Sequence, residues 1–271
     1  MNPASHLPFV LCCRDHNTAL NYIQTNLGAV AYFTIKSPEK SGDNEDAIAI
    51  VQASEKTLVL AVADGVGGLP SGAQASNIVI NDIGDACLNH QKENLELRDA
   101  LLSCIEKANN DIIELNTGSA TTLALVEIQD SSIRTYHVGD SAILVVGQRG
   151  KLTLETVLHS PTGYAVESGL MSEDEALQHE DRHIVSNVIG SRDLSISMTV
   201  PVKLKINDTL LLATDGLIDN IDKQTILDTI RKGSLIEGLN RLYEMTSERM
   251  TSGAMTYKPD DASCILFRRN V

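Results

Sequence analysis

The sequence predicts an α+β fold in which antiparallel sheets are layered with helices, and three observations carry that expectation. Short apolar runs recur at 47–53, 57–63, 119–128, 133–138, 142–146, 209–213 and 263–267. Each has the length and β-branched content of a strand. Two joints between runs, Gln129-Asp130-Ser131-Ser132 and Gly139-Asp140-Ser141, have tight-turn chemistry and predict hairpins. Longer stretches are helical in spacing and lie apart from the strands rather than alternating with them. That grouping points to layers with antiparallel pairing and away from a βαβ repeat.

Residues 1–28 show no clear periodicity and are expected to form an N-terminal extension or an added helix. After the first two strands, 73–90 places Ala75, Ile78, Val79, Ile83, Ala86 and Cys87 near one helical face. The stretch 95–115 does the same with Leu97, Leu101, Leu102, Ile105, Ala108, Ile112 and Leu115. Further helices are expected over 223–230 and 234–250, between the last two strands. No internal repeat or low-complexity linker interrupts the chain, so one domain over 29–271 is expected.

Composition narrows the function. The 271 residues are 42% hydrophobic but only 3% aromatic, with no Trp, so the core must be built from Leu, Ile, Val and Ala. Acidic residues outnumber basic ones by 36 to 22, a formal charge of −14. That balance argues against a nucleic-acid or anionic-membrane surface, which needs Lys and Arg. The five cysteines are odd in number and form no Cys-x-x-Cys pair. Reduced thiols and a cytoplasmic location are therefore expected. The apolar stretch 7–13 is too short to span a bilayer and has no basic segment before it.

The informative feature is where carboxylates fall. The run 57–63 ends in Asp64-Gly65, the run 133–138 in Gly139-Asp140, and the run 209–213 is followed by Thr214-Asp215-Gly216. Glu45-Asp46 opens the first run and Asp260-Asp261 precedes the last. One Asp at a strand end is ordinary turn chemistry. Five such places change the balance, because carboxylates gathered at one sheet edge repel unless protons or cations compensate. An oxygen-only set without paired His or Cys selects hard ions such as Mg²⁺, Mn²⁺ or Ca²⁺.

With these motifs in order, the chain resembles the PP2C-type metal-dependent protein phosphatases over about 36–267. The matching pieces are Asp43-Asn44-Glu45-Asp46, Ala63-Asp64-Gly65-Val66-Gly67-Gly68, Gly118-Ser119-Ala120-Thr121-Thr122, Val138-Gly139-Asp140-Ser141, Ala213 to Asn220, and Asp260-Asp261-Ala262-Ser263. The resemblance implies a four-layer α/β-β/α sandwich with the metal site at one edge of the paired sheets. It implies two Mn²⁺ or Mg²⁺ ions and a weaker third. Asp64 would bridge the two ions, with the Gly65 carbonyl and Glu45 beside it. Asp215 and Asp260 would complete the pair, and Asp140 and Asp219 would hold the third ion. Asp46 would orient the attacking water. The implied reaction is hydrolysis of phosphoserine and phosphothreonine in proteins by water, with no phosphoenzyme. The implied role is a signalling phosphatase opposing a kinase, and a monomer is expected. A flap is implied over 159–190.

Two positions depart from the pattern. Many members carry a phosphate-gripping Arg where Ser41 stands, which leaves Lys36 and Lys40 as candidate replacements alongside Asp261 in the substrate region. Some carry a His where Val66 stands, so protonation of the leaving group falls to water or to a flap residue, with His159 and His183 as candidates. These departures motivate the alternative of a weak or inactive PP2C-like binding module. The Gly65–Gly72 cluster lacks the Gly-Lys-Ser/Thr ending of a P-loop, and Ser141 lacks a Gly-x-Ser-x-Gly setting.

Overall fold

The computed structural model describes residues 9–13, 17–66, 71–251 and 258–269. In chain order the first strands are β1 (Phe9–Cys13), β2 (Asn17–Gln24), β3 (Gly28–Ile35), β4 (Asp46–Ser54) and β5 (Thr57–Val66). Helices α1 (Ser71–Asn89) and α2 (Leu97–Glu114) follow. Then come β6 (Ala120–Thr121), β7 (Leu123–Gln129), β8 (Ser132–Val138), β9 (Ala142–Val146) and β10 (Leu152–Glu155). The flap region carries α3 (Pro161–Glu167), α4 (Glu173–Gln178) and a 3-10 turn over Glu180–His183, and ends in the short strands β11 (Ser197–Met198) and β12 (Val202–Lys203). The chain closes with β13 (Thr209–Ala213), α5 (Asp215–Ile218), α6 (Lys223–Ile230), α7 (Leu235–Thr251) and β14 (Ala262–Arg269).

The strands form two antiparallel sheets. One runs β1-β4-β5-β7-β8-β11, with β6 on β5 and β12 on β8; the other runs β10-β9-β13-β14-β3-β2. Their inner faces meet through Ile48, Ile50, Leu60 and Val126 against Ile143, Leu210, Leu212 and Phe267. The outer face of the first sheet packs Ala47, Ala49, Val59 and Ala61 against Val79, Ile83, Leu101 and Ile105 of α1 and α2. The outer face of the second packs Phe33, Leu211 and Leu266 against Ile226, Leu239 and Leu242 of α6 and α7. This is the four-layer sandwich. Because both faces of each sheet are covered, residues 47–51 of β4, 58–63 of β5 and 210–213 of β13 are successively apolar, and these runs read as continuous rather than alternating.

The helices match expectation within a few residues. The extension expected over 1–28 is corrected in part. β1 pairs with β4 from Phe9↔Val51 to Cys13↔Ala47, and β2 pairs with β3 from Asn17↔Ile35 to Gln24↔Ala29. Both are edge strands. β2 carries polar residues such as Asn17 and Asn21 and leaves Tyr22 53% exposed, which hides its strand character in the sequence. The run 28–35, absent from the strands expected above, is β3, with Val30 to Phe33 buried. The single strand expected over 119–128 is broken at Thr122, which leaves the ladder to bond Asp64.

Candidate metal centre

The two sheets deliver acids to one edge. In the first sheet Asp46 and Asp64 stand directly opposite each other across the β4–β5 pair, and Asp140 follows β8. In the second, Asp215 opens α5 just after β13, and Asp260 and Asp261 sit just before β14. These acids act on one another's ionisation. Burial raises the Asp64 carboxyl well above the usual carboxylate range, and Asp215, Asp46, Asp260 and Asp140 push it the same way. Burial, then Asp215 and Asp219, raise Asp140. Burial, then Asp261, raise Asp46, against hydrogen bonds from Ser263 and Thr214. Burial and Asp215 push Asp219 up to about 7.

Hydroxyl and amide groups fix this geometry. The Asp64 carbonyl accepts from Thr122 N–H and from the Thr121 hydroxyl, each at 2.9 Å, and Thr122 Oγ1 lies 2.7 Å from Ser141 Oγ. The Gly118–Thr122 motif therefore ties the Asp64 strand to the turn bearing Asp140. Thr214 donates to Asp46 Oδ2 at 2.8 Å and accepts from Ser263 N–H at 2.9 Å, linking the two sheets. Asn44 accepts from Asp46 N–H and donates to Thr34 Oγ1, both at 2.9 Å. Two glycines are required by shape. A Cβ on Gly65 would lie 2.3 Å from the Gly72 carbonyl oxygen, where α1 starts. Gly139 has φ +98°, and a Cβ there would lie 2.6 Å from Thr122 Cγ2. Gly67 and Gly68 of the glycine cluster lie outside the described residues.

Two lysines reach into the acids. Lys40 Nζ lies 2.7 Å from Glu45, 2.8 Å from Asp260 and 3.1 Å from Asp261. Lys258 Nζ pairs with Asp215 and lies 3.1 Å from Asp260 and 4.0 Å from Asp219. Although burial opposes it, Lys258 and Lys40 hold the Asp260 carboxyl below its usual value. Among the described residues no three His, Cys, Asp or Glu side chains form a ready cation cage, because the acids of the second sheet are turned onto these ammonium groups. The donor set still fits divalent ions. Buried oxygens of Glu45 (Oε1), Asp46 (Oδ1), Asp140 (Oδ1), Asp215 (Oδ1) and Asp219 (Oδ2) have no hydrogen-bond partner. Unpartnered buried carboxylate oxygens are costly, and a hard cation is the group that satisfies several at once.

Several expected substrate contacts fall elsewhere. Asp261 is 1% exposed and accepts from the backbone N–H of Ser37 and of Glu45, both at 2.7 Å. It clamps the segment before β4 onto β14 and is not open to a substrate. His159 is 5% exposed. Its Nδ1 accepts from Gly139 N–H at 3.1 Å and from Asn187 at 2.9 Å, so the proton sits on Nε2, 2.9 Å from Ser197 Oγ. It pins the flap to the Asp140 turn rather than facing a substrate. Its ring packs 4.6 Å from His137, a buried residue without a motif to mark it. Lys36 is half-buried and pairs with none of the site acids among the described residues, Ser41 is exposed, and His183 is exposed at the end of the 3-10 turn.

The family model for protein phosphatase 2C matches residues 38–249. The chain belongs to the protein phosphatase 2C family. It is a metal-dependent protein serine/threonine phosphatase. This PP2C chain is 30% identical to protein phosphatase PhpP of Streptococcus pneumoniae over 201 residues, 71% of this chain and 80% of that one. It superposes on the serine/threonine phosphatase of S. agalactiae with TM-score 0.74 and 26% identity, covering 89% of this chain and 99% of the other. The fold is shared with the catalytic domain of PstP solved with two manganese ions, at TM-score 0.68 and 21% identity over 89% of this chain and 98% of that one. Lys258 is the residue of this PP2C site that the sequence left unmarked; its only signal is a lysine two positions before Asp260.

Proposed function

We propose that this phosphatase uses Asp64, Asp215, Asp260, Glu45 and the Gly65 carbonyl to hold two Mn²⁺ or Mg²⁺ ions, with a weaker third ion at Asp140 and Asp219. The observation that carries this reading is the group of buried, unpartnered carboxylate oxygens at the edge where both sheets deliver their acids. Such ions, when bound, lower the pKa of water towards neutrality and offset charge on the phosphoryl oxygens.

The chain's own groups do the rest. Asp64, set against Asp46 and anchored by Thr121 and Thr122, would supply carboxylate oxygens to the ions. Asp46, whose Oδ2 accepts from Thr214, would orient the attacking water with its unpartnered Oδ1. Water attack in line with the leaving serine or threonine oxygen needs no side-chain nucleophile, so no phosphoenzyme forms. His159 holds the flap against the Asp140 turn through Gly139, Asn187 and Ser197. The substrates are phosphorylated proteins, and the chain acts as a cytoplasmic monomer opposing a kinase, with no nucleic-acid or membrane partner. No described helix is long and apolar enough to cross a membrane.

The test is hydrolysis of a phosphothreonine peptide. Activity is expected with Mn²⁺, to stop with EDTA, and to fall steeply in Asp64→Asn. An Asp64→Asn variant with wild-type turnover would overturn the bridging role.

A further inference from the structure

Lys258 is held in place from both ends. Its backbone N–H donates to Asn220 Oδ1 at 3.1 Å, and its carbonyl accepts from Asn220 Nδ2 at 2.8 Å. Asn220 is itself 2% exposed and donates to the Gly216 carbonyl at 2.8 Å. The residue that follows β13 and α5 thus clasps the backbone of Lys258 and fixes where its side chain starts. The side chain ends among Asp215, Asp219 and Asp260. Two of these, Asp215 and Asp260, are acids assigned above to the metal pair. The third belongs to the weaker ion.

A compact ammonium and a divalent cation answer the same need here, since each offsets converging carboxylates. They cannot both lie between Asp215 and Asp260. Lys258 has a flexible four-carbon stem and a side chain 23% exposed, so it has a route outward. Lys40 differs. Besides Glu45 and Asp260 it pairs with Asp261, which is committed to two backbone amides and is not assigned to the ions, so it keeps that partner when Glu45 and Asp260 turn to a metal.

We propose that Lys258 is a built-in counter-cation of the Asp215–Asp219–Asp260 acids, which a divalent ion displaces when it binds. This rests on the metal assignment made above. The residue sets how much divalent ion the phosphatase needs. It neutralises the second sheet's acids at low metal and opposes loading by competing for the same oxygens.

Calorimetric Mn²⁺ titration of the full chain compares wild type, Lys258→Met and Asp260→Asn. Lys258→Met is expected to bind Mn²⁺ at least tenfold more tightly, and Asp260→Asn at least tenfold more weakly. If Asp260→Asn binds like wild type, the metal assignment fails, and the inference with it. If Asp260→Asn weakens binding while Lys258→Met binds no more tightly than wild type, the inference alone fails. A second measurement needs no variant and covers the case in which Lys258→Met does not fold. Wild-type protein is acylated with an amine-reactive reagent in EDTA and in Mn²⁺, and labelled sites are quantified by mass spectrometry. Labelling of Lys258 is expected to rise at least fivefold in Mn²⁺, with exposed Lys107 unchanged as control. A rate at Lys258 that stays the same or falls overturns the proposal.

Discussion

The acids of the two sheets have opposite electrostatic standing. Asp46, Asp64 and Asp140, carried by the first sheet, form no ion pair among the described residues, and all three carboxyls are pushed upward, first by burial and next by an acid of the second sheet, Asp261 for Asp46 and Asp215 for Asp64 and Asp140. Asp215, Asp260 and Asp261, carried by the second, each lie beside a lysine ammonium. One side of the site is under-compensated and the other balances itself. The first sheet therefore creates the demand for a cation, and the second moderates it. Buried like charges without a partner cost far more than paired ones, so substitutions on the two sides have opposite consequences for the protein without metal.

Asp64→Asn against Asp260→Asn is the widest separation. Removing the Asp64 charge relieves repulsion from four neighbours, so its unfolding temperature in EDTA is expected to rise by a few degrees. Turnover with Mn²⁺ is expected to fall by roughly 10³-fold or more, the size of several kcal/mol of lost transition-state stabilisation. Asp260→Asn removes a carboxylate that Lys40 and Lys258 share and is expected to lower the unfolding temperature in EDTA while also losing activity. Differential scanning fluorimetry with paired kinetics reads both signs. Equal shifts in EDTA would erase the distinction between the two sides.

The next effect tests the flap side of Asp140. His137 is 1% exposed, and burial, followed by His159, lowers its pKa to about 4. It is buried neutral, whereas an unfolded histidine titrates near 6.5. Between these values the unfolded chain binds more protons, so stability is full above about pH 6.5 and falls as pH drops towards 4. The loss is on the order of 3 kcal/mol across that window. Urea unfolding at pH 7 and pH 4.5 measures it, and His137→Gln is expected to flatten the slope. The groups facing His137 are His159 and the Ser141 carbonyl at 2.7 Å.

A smaller effect separates the two acids before the last strand. Asp261 accepts two backbone N–H bonds and the Lys40 ammonium. In Asp261→Asn one side-chain oxygen becomes an NH₂ donor aimed at a donor, a loss of ~1–3 kcal/mol of stability. Activity is expected to stay within tenfold of wild type, because Asp261 works as a clamp. A collapse of Mn²⁺ affinity in this variant, measured by calorimetry, would exchange the roles of Asp260 and Asp261.

The acids were legible because their positions obey a simple rule: each stands where a continuous apolar run stops. The runs were legible because both faces of β4, β5 and β13 are buried. The same physics hid other parts. β2 is a polar edge strand, and its pairing with β3 is a long-range fact with no local signature. His137 sits in a strand like any other polar residue, and only folding sets it against His159. Lys258 looks like a surface lysine until Asn220, in the turn after α5, fixes its backbone beside three aspartates. Asp261 resembled a substrate contact in the sequence because its partners, the amides of Ser37 and Glu45, lie more than two hundred residues away.

Ser41 gives the finest test of the comparison. It is exposed and follows Lys40, whose ammonium is already committed to acids. Lys40 pairs with three carboxylates and has no spare charge for a phosphate, and its ammonium cannot make the bidentate contact that an arginine at position 41 would supply. Ser41→Arg is expected to lower KM for a phosphopeptide by about 2–10-fold, since an exposed charge-assisted contact contributes ~0.5–1.5 kcal/mol. The value of kcat is expected to remain about the same, because ground state and transition state gain the contact alike. A KM that does not move would mean that Lys40 leaves its carboxylates to meet the phosphate. In that case the self-balance of the second sheet lasts only until substrate arrives.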